Sequence, residues 1–168
     1  MPFEPGTYYL INVKHAQGKF PTKEPIQPQE SIESFGHQVA AMDLSEGNDQ
    51  SIIAFGWHGG ENQRWQFEPA GNGNYYIKNV KYSKYITFPD EPEDGKQVIA
   101  TDGPREWEVR VGHEGVNVDD EAESIRIFVP GTEKNLDLTN HGDITPGTPV
   151  QLWEQTPGKG QAWYFVRV

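Results

Sequence analysis

"GGENQRWQFEP", residues 59–69, frames a tryptophan with glutamine and phenylalanine in a setting too polar for an ordinary buried strand. Similar phrases return as "GPREWEVRV" from Gly103 and as "GKGQAWYFVRV" from Gly158, where the chain ends. Each tryptophan, Trp65, Trp107 and Trp163, is followed two residues on by Phe67, Val109 or Phe165. That spacing turns ring and apolar partner to one side of a strand, so the three tryptophans read as core. Upstream of each stands a second recurring phrase: "TYYLINV" from Thr7, "NYYIKNV" from Asn74 and "SIRIFVP" from Ser124. Their alternation of large apolar and polar residues is the period of a half-buried strand. The chain therefore reads as three units of similar build, about 7–70, 71–112 and 113–168.

A third phrase lies between these strands, "MDLSEG" from Met42 and "LDLTNHG" from Leu136. Register from the opening strands sets "ITF", residues 86–88, at the same point of the middle unit, with Thr87 in place of the aspartate. The first unit carries an insertion at about 18–39, rich in Pro and charge, that reads as a long exposed loop.

Composition agrees with an all-β chain. Apolar residues make up only 35% of the 168, yet 12% are aromatic, so a few large rings supply much of the burial. Glycine and proline are scattered, and no stretch keeps a helical period, which argues for short strands and tight turns. The length suits one domain, residues 1–168. Without cysteine there is neither a disulfide framework nor a Cys-based zinc site. The histidines show no metal spacing, the acidic run "VDDEAES", residues 118–124, lacks the alternation of a calcium loop, and no cofactor is implied. A net charge of −11 disfavours nucleic acid and anionic lipid as partners. With no basic leader and no apolar span, a cytoplasmic protein without membrane insertion is expected, and unconventional release would leave the same trace.

Threefold repetition, short strands and a closing Gln-x-Trp, spelled Gln63-Arg64-Trp65 and Gln161-Ala162-Trp163, strongly resemble the ricin B-type lectins, in particular the cysteine-free lectins of mushrooms. The middle copy, Arg105-Glu106-Trp107, has lost its glutamine. The resemblance implies a β-trefoil: three pseudo-threefold repeats of four strands, with a six-stranded barrel capped by three hairpins. It also implies a sugar site in each competent repeat and no enzymatic activity.

A neutral sugar asks for directional polar partners and for a ring against its C–H face, and a carboxylate can hold two adjacent hydroxyls. In the first repeat Asp43, Phe55, Trp57, His58, Gly59, Asn62 and Gln63 supply acid, rings and amides. In the third, Asp137, Gln151, Trp153 and Gln161 do so. Phe55 stands ten positions before Trp65 and Trp153 ten before Trp163, which places the two rings on equivalent strands. Gly160 occupies the position of Asn62, so the first site ranks ahead of the third, and "GWHGGENQ", residues 56–63, resembles the loop of galactose or N-acetylgalactosamine binders. The middle repeat, with Thr87 for the acid and no ring, reads as silent.

Each assignment has a plainer rival. The aspartates can close their own turns, Gln63 and Gln161 can brace the loops from below, and Trp57 can cover the base of the barrel. The expected partners are glycans ending in galactose, N-acetylgalactosamine or N-acetyllactosamine, in a fungal defence role, with a homodimer as one way to gain avidity. The rival function is a β-trefoil protease inhibitor, with Lys19 or Lys23 in the first-repeat insertion as a trypsin-type anchor.

Overall fold

The computed structural model describes residues 3–16, 39–112 and 123–168. Lys19 and Lys23, nearly all of the 18–39 insertion and most of the acidic run 118–124 lie outside the described residues. The described chain forms twelve strands: β1 (Gly6–Asn12), β2 (Ala40–Leu44), β3 (Ile52–Gly56), β4 (Trp65–Gly71), β5 (Asn74–Asn79), β6 (Tyr85–Thr87), β7 (Ile99–Thr101), β8 (Glu108–Val111), β9 (Ser124–Phe128), β10 (Lys134–Leu138), β11 (Val150–Glu154) and β12 (Trp163–Arg167).

The first and last strand of each repeat build a barrel. All neighbours are antiparallel, in the ring β1–β4–β5–β8–β9–β12 and back to β1. The β5–β8 link rests on one residue pair, Tyr75 and Trp107, which exchange both backbone hydrogen bonds at 2.9 and 2.8 Å. The middle strands form three hairpins, β2–β3, β6–β7 and β10–β11, that meet one another through bridges at Ser51–Ile99, Ile53–Pro149 and Gln97–Gln151. This is a β-trefoil, as the family resemblance implied.

The three tryptophans lie at its centre, all fully buried. Each indole N–H donates to the carbonyl of a hairpin residue: Trp65 to Met42 at 2.9 Å, Trp107 to Ile86 at 2.9 Å and Trp163 to Leu136 at 3.3 Å. The repeated phrases are thus superposed by a hydrogen bond, and the residue after each carbonyl is Asp43, Thr87 or Asp137. Around the tryptophans pack Leu10, Met42, Leu44, Phe67, Ile77, Ile125 and Leu152.

In one respect the strands differ from the expected half-burial. Tyr8 to Asn12 of β1 and all of β9 are buried on both faces. For β1 the reason is a second, smaller apolar cluster outside the barrel, where Tyr9 and Ile11 meet Ala41, Tyr164, Val166 and Trp57.

Replacing any of the three tryptophans by Phe keeps a large ring but leaves a buried carbonyl without its donor. Each Trp→Phe variant should lose about 1–3 kcal/mol of unfolding free energy in urea titrations. A change within about 0.5 kcal/mol, the range of an ordinary surface substitution, would show that this bond does not seat the hairpins.

Candidate functional site

Strand alternation sorts the hairpin residues. On β2, Ala40, Met42 and Leu44 face the core, so Asp43 is turned to the outer side. There it pairs across β3 with Ile53, and the next pair on that face is Ala41 with Phe55. Phe55 is 42% exposed beside a carboxylate that is 3% exposed. The third repeat repeats this register: Asp137 opposes Gln151, Asn135 opposes Trp153, and Trp153 is 40% exposed. Acid and ring therefore lie diagonally on one face of each hairpin, within reach of one ligand.

The loops leading to the closing tryptophans are held by glutamine in both repeats. Gln63 Oε1 accepts from the His58 backbone N–H at 2.9 Å, and its Nε2 donates to Asp43 Oδ2 at 2.9 Å and to the Gly56 carbonyl at 3.0 Å. Gln161 Oε1 accepts from the Thr156 N–H at 2.8 Å, and its Nε2 donates to the Glu154 carbonyl at 3.0 Å. Both glutamines brace the loop, and Gln63 braces the acid as well. Asp137 is held first by Gln151, at 2.7 Å, with Gln161 in support. The turn amides near Asp43 go elsewhere, with Ser45 N–H bonding the Ser51 carbonyl and Gly47 N–H the Ser45 hydroxyl, so Asp43 does not serve its own turn.

Some assigned residues have different work. Trp57 is a correction: it is 8% exposed, its ring set edge-on to Tyr9 at 5.6 Å in the cluster outside β1. An indole so covered has no free face for a sugar, and it does not cover the base of the barrel either. Gly59 adopts a φ of +77°, and a side chain there would press on the Trp57 ring. Its carbonyl is committed to Arg64 Nη2 at 3.0 Å and the Tyr9 hydroxyl at 3.3 Å. Asn62 is buried and donates to the Leu44 carbonyl at 3.2 Å, closing the end of β2, and its amide also supports the Asp43 carboxylate.

His58 also reaches toward the acid. Its Nδ1 accepts from the Gly60 N–H at 3.0 Å, which leaves Nε2 to carry the proton and face Asp43 Oδ2 at 3.7 Å. Thr156 holds the matching place in the third repeat, since both donate their backbone N–H to the loop glutamine.

The equivalence of Gly160 and Asn62 also has structural support: Asn12 Nδ2 donates to the Gly160 carbonyl as Asn79 Nδ2 does to that of Asn62. A Cβ on Gly160 would meet the backbone of Gly142 and His141 at 3.0–3.3 Å. The turn Thr139–Gly142 thus takes the space that Asn62 fills in the first repeat. Asn140 and His141 both have left-handed backbones, with φ of 56° and 59°, a conformation costly for a non-glycine residue. Together with Thr139 they line a cavity of about 450 Å³, whose other walls include Asp137, Gln151, Trp153 and Gln161. Sequence reasoning missed Thr139, Asn140, His141 and Thr156. The signal available was "TNHG" itself, where Asn140 tolerates a left-handed backbone and Gly142 marks a turn.

In the middle repeat the Thr87 hydroxyl is paired with that of Thr101 at 3.0 Å. Thr101 opposes Tyr85 in the register where Phe55 opposes Ala41, so a short hydroxyl replaces the ring.

The family model described as "Ricin-type beta-trefoil lectin domain-like" matches residues 31–101 and 61–153. The chain is similar over 100% of its own length and 100% of the other's to the Macrolepiota procera ricin B-like lectin in complex with lactose, at 31% identity and a TM-score of 0.76. The chain belongs to the ricin-type β-trefoil lectin domain family. The fold alone is shared with the designed threefold protein ThreeFoil, at 20% identity and a TM-score of 0.65 over 96% of this chain and 99% of that one. It is shared too with the C-half of an earthworm R-type lectin in complex with GalNAc, at 15% identity and a TM-score of 0.58 over 96% and 98%. No curated protein matches the chain.

In this lectin domain both acids are strained toward neutrality. Burial pushes the Asp43 carboxyl above the usual carboxylate range, opposed first by the Gln63 hydrogen bond and then by His58. Burial raises Asp137 likewise, opposed by Gln151 and Gln161. With the folded pKa above the unfolded one, these groups favour the fold most below the ordinary value of 3.8, and that contribution is lost as pH rises through the raised value. Asp43→Asn and Asp137→Asn should therefore melt above the parent at neutral pH, with the gap closing as pH falls below about 4. Equal melting temperatures at neutral pH would show that carboxylate burial is not a net cost to the fold.

Proposed function

We propose that this protein is a non-enzymatic lectin for glycans ending in galactose or N-acetylgalactosamine, with one site in the first repeat and one in the third. The observation that carries this reading is the repeated pairing of an acid with an exposed ring, the buried Asp43 with Phe55 and the half-buried Asp137 with Trp153, on the same face of two equivalent hairpins. A fold needs neither member: the middle hairpin keeps its place with Thr87 and Thr101.

In this reading each carboxylate accepts from two sugar hydroxyls while its loop or strand glutamine holds it in place, and the ring covers the apolar sugar face. His58 orients the ligand in the first site, and Asn140 with His141 does so in the third. The lactose held by the Macrolepiota lectin and the GalNAc held by the earthworm lectin support this ligand class. Two sites on one chain can cross-link glycans on a cell surface, gaining avidity through effective concentration. The proposal extends to a defensive role in a fungus and to a cytoplasmic store.

Lactose titration by calorimetry, with a glycan array, tests the reading. The parent should bind two lactose molecules, Asp43→Ala and Asp137→Ala one each, and the double variant none. Phe55→Ala should weaken the first site about threefold to tenfold, the loss of roughly 0.5–1.5 kcal/mol of ring contact. Undiminished array signal from a folded double variant would refute the assignment.

A further inference from the structure

The loop of the third site has a support that neither the family nor the sequence assigned. Arg126 lies on β9, 3% exposed. Its Nη1 donates to Gln161 Oε1 at 3.3 Å and its Nη2 to the Thr156 carbonyl at 2.5 Å. Because Thr156 also donates its N–H to Gln161 Oε1, a closed ring of three residues pins both ends of the Thr156 peptide.

The first repeat solves the same problem with other residues. On β1, the residue beside Trp65 is Tyr8, and on β9 the residue beside Trp163 is Ile125, so Tyr9 and Arg126 are equivalent. Tyr9 reaches the Gly59 carbonyl with its hydroxyl, and Arg64, just before Trp65, supplies the guanidinium. In the third repeat Ala162 stands before Trp163 and has nothing to offer. The guanidinium stands just before the closing strand in the first repeat and on the opening strand in the third.

Placing it there is costly. Burial disfavours the Arg126 cation, and Arg110, its direct partner across β8 and β9, adds like-charge repulsion. A tyrosine at this position, as in β1, would avoid both. What the arginine provides is a donor-only fork. It accepts nothing, so only the oxygen of the Gln161 amide can face it, and the NH₂ group is forced toward Glu154 and the Asp137 side of the cavity.

We propose that Arg126 is the positioning residue of the third-repeat site: it fixes the flip of the Gln161 amide and the place of Thr156, and through them the polar wall a sugar meets. This rests on the reading of that cavity as a lectin site. The first site, held by Tyr9 and Arg64, is independent of it.

The test uses Arg126→Met and Arg126→Lys in the full chain, each made alone, on Asp43→Ala to isolate the third site, and on Asp137→Ala to isolate the first. Lactose affinity at the third site should fall about tenfold or more in Arg126→Met, as when the outer support of a binding residue is removed. Arg126→Lys, which keeps the charge but cannot span both acceptors, should fall between Met and the parent, and first-site affinity should not change. Amide hydrogen exchange gives a readout without sugar: the Thr156 N–H should exchange faster in both variants, while the His58 N–H keeps its parental rate. Equal losses at both sites, or parental lactose affinity and Thr156 exchange in Arg126→Met, would overturn the inference. If Arg126→Met does not fold, Arg126→Lys decides, and parental affinity and exchange in that variant overturn it. Failure of the Asp43→Ala parent to bind lactose would sink the lectin reading of the cavity, whereas fast Thr156 exchange in the variants would still establish the positioning role.

Discussion

Three indole N–H groups, each bonded to a hairpin carbonyl, are the constraint on which the rest of this trefoil depends. A buried carbonyl needs a donor, and a tryptophan that fills the barrel centre needs an acceptor, so one contact satisfies both. Because the bonded carbonyl belongs to the residue just before Asp43, Thr87 or Asp137, the same contact seats the hairpin and places the next side chain on its outer face. Site geometry is thus a by-product of core packing, and a repeat can lose its acid without losing its fold.

That independence explains how the repeats diverged. Each repeat that has an acid must hold a carboxylate that burial would rather neutralise, and the leading amide differs: Gln63 in the first, Gln151 in the third. Each must also hold a loop beside the acid. In the first, Asn62 fills the space next to Leu44 and His58 stands over Asp43. In the third that space belongs to the Thr139–Gly142 turn, which excludes any side chain at Gly160 and leaves a cavity where Asn140 and His141 face the acid. Ranking the third site second for want of a polar side chain at Gly160 left this exchange out, because Asn140 and His141 come from another part of the chain.

The rings show the same division between local and distant causes. Phe55 and Trp153 were legible from their matched spacing, Trp153 also from its polar surroundings, and both are exposed. Trp57 has surroundings just as polar in sequence, yet it is buried. Nothing within its own loop predicts this, since the surface that covers it is assembled from β1, β2 and β12, far apart along the chain. Arg126 was invisible for a like reason: in "SIRIFVP" it reads as the solvent-facing residue of an alternating strand, and Thr156 and Gln161 lie 30 and 35 positions away.

The residue pattern alone carried the threefold build, the core tryptophans, the register that equates Asp43 with Asp137 and Phe55 with Trp153, and the lack of an acid and a ring in the middle hairpin. These rest on periodicity and spacing, which are properties of one strand or one loop. Only the tertiary structure decided which aromatic keeps a free face, which amide holds each acid, what replaces Asn62 in the third repeat and where its loop is anchored. Those outcomes depend on surfaces that meet across the pseudo-threefold axis and around the barrel, where burial and hydrogen bonding are set by residues that no local pattern connects.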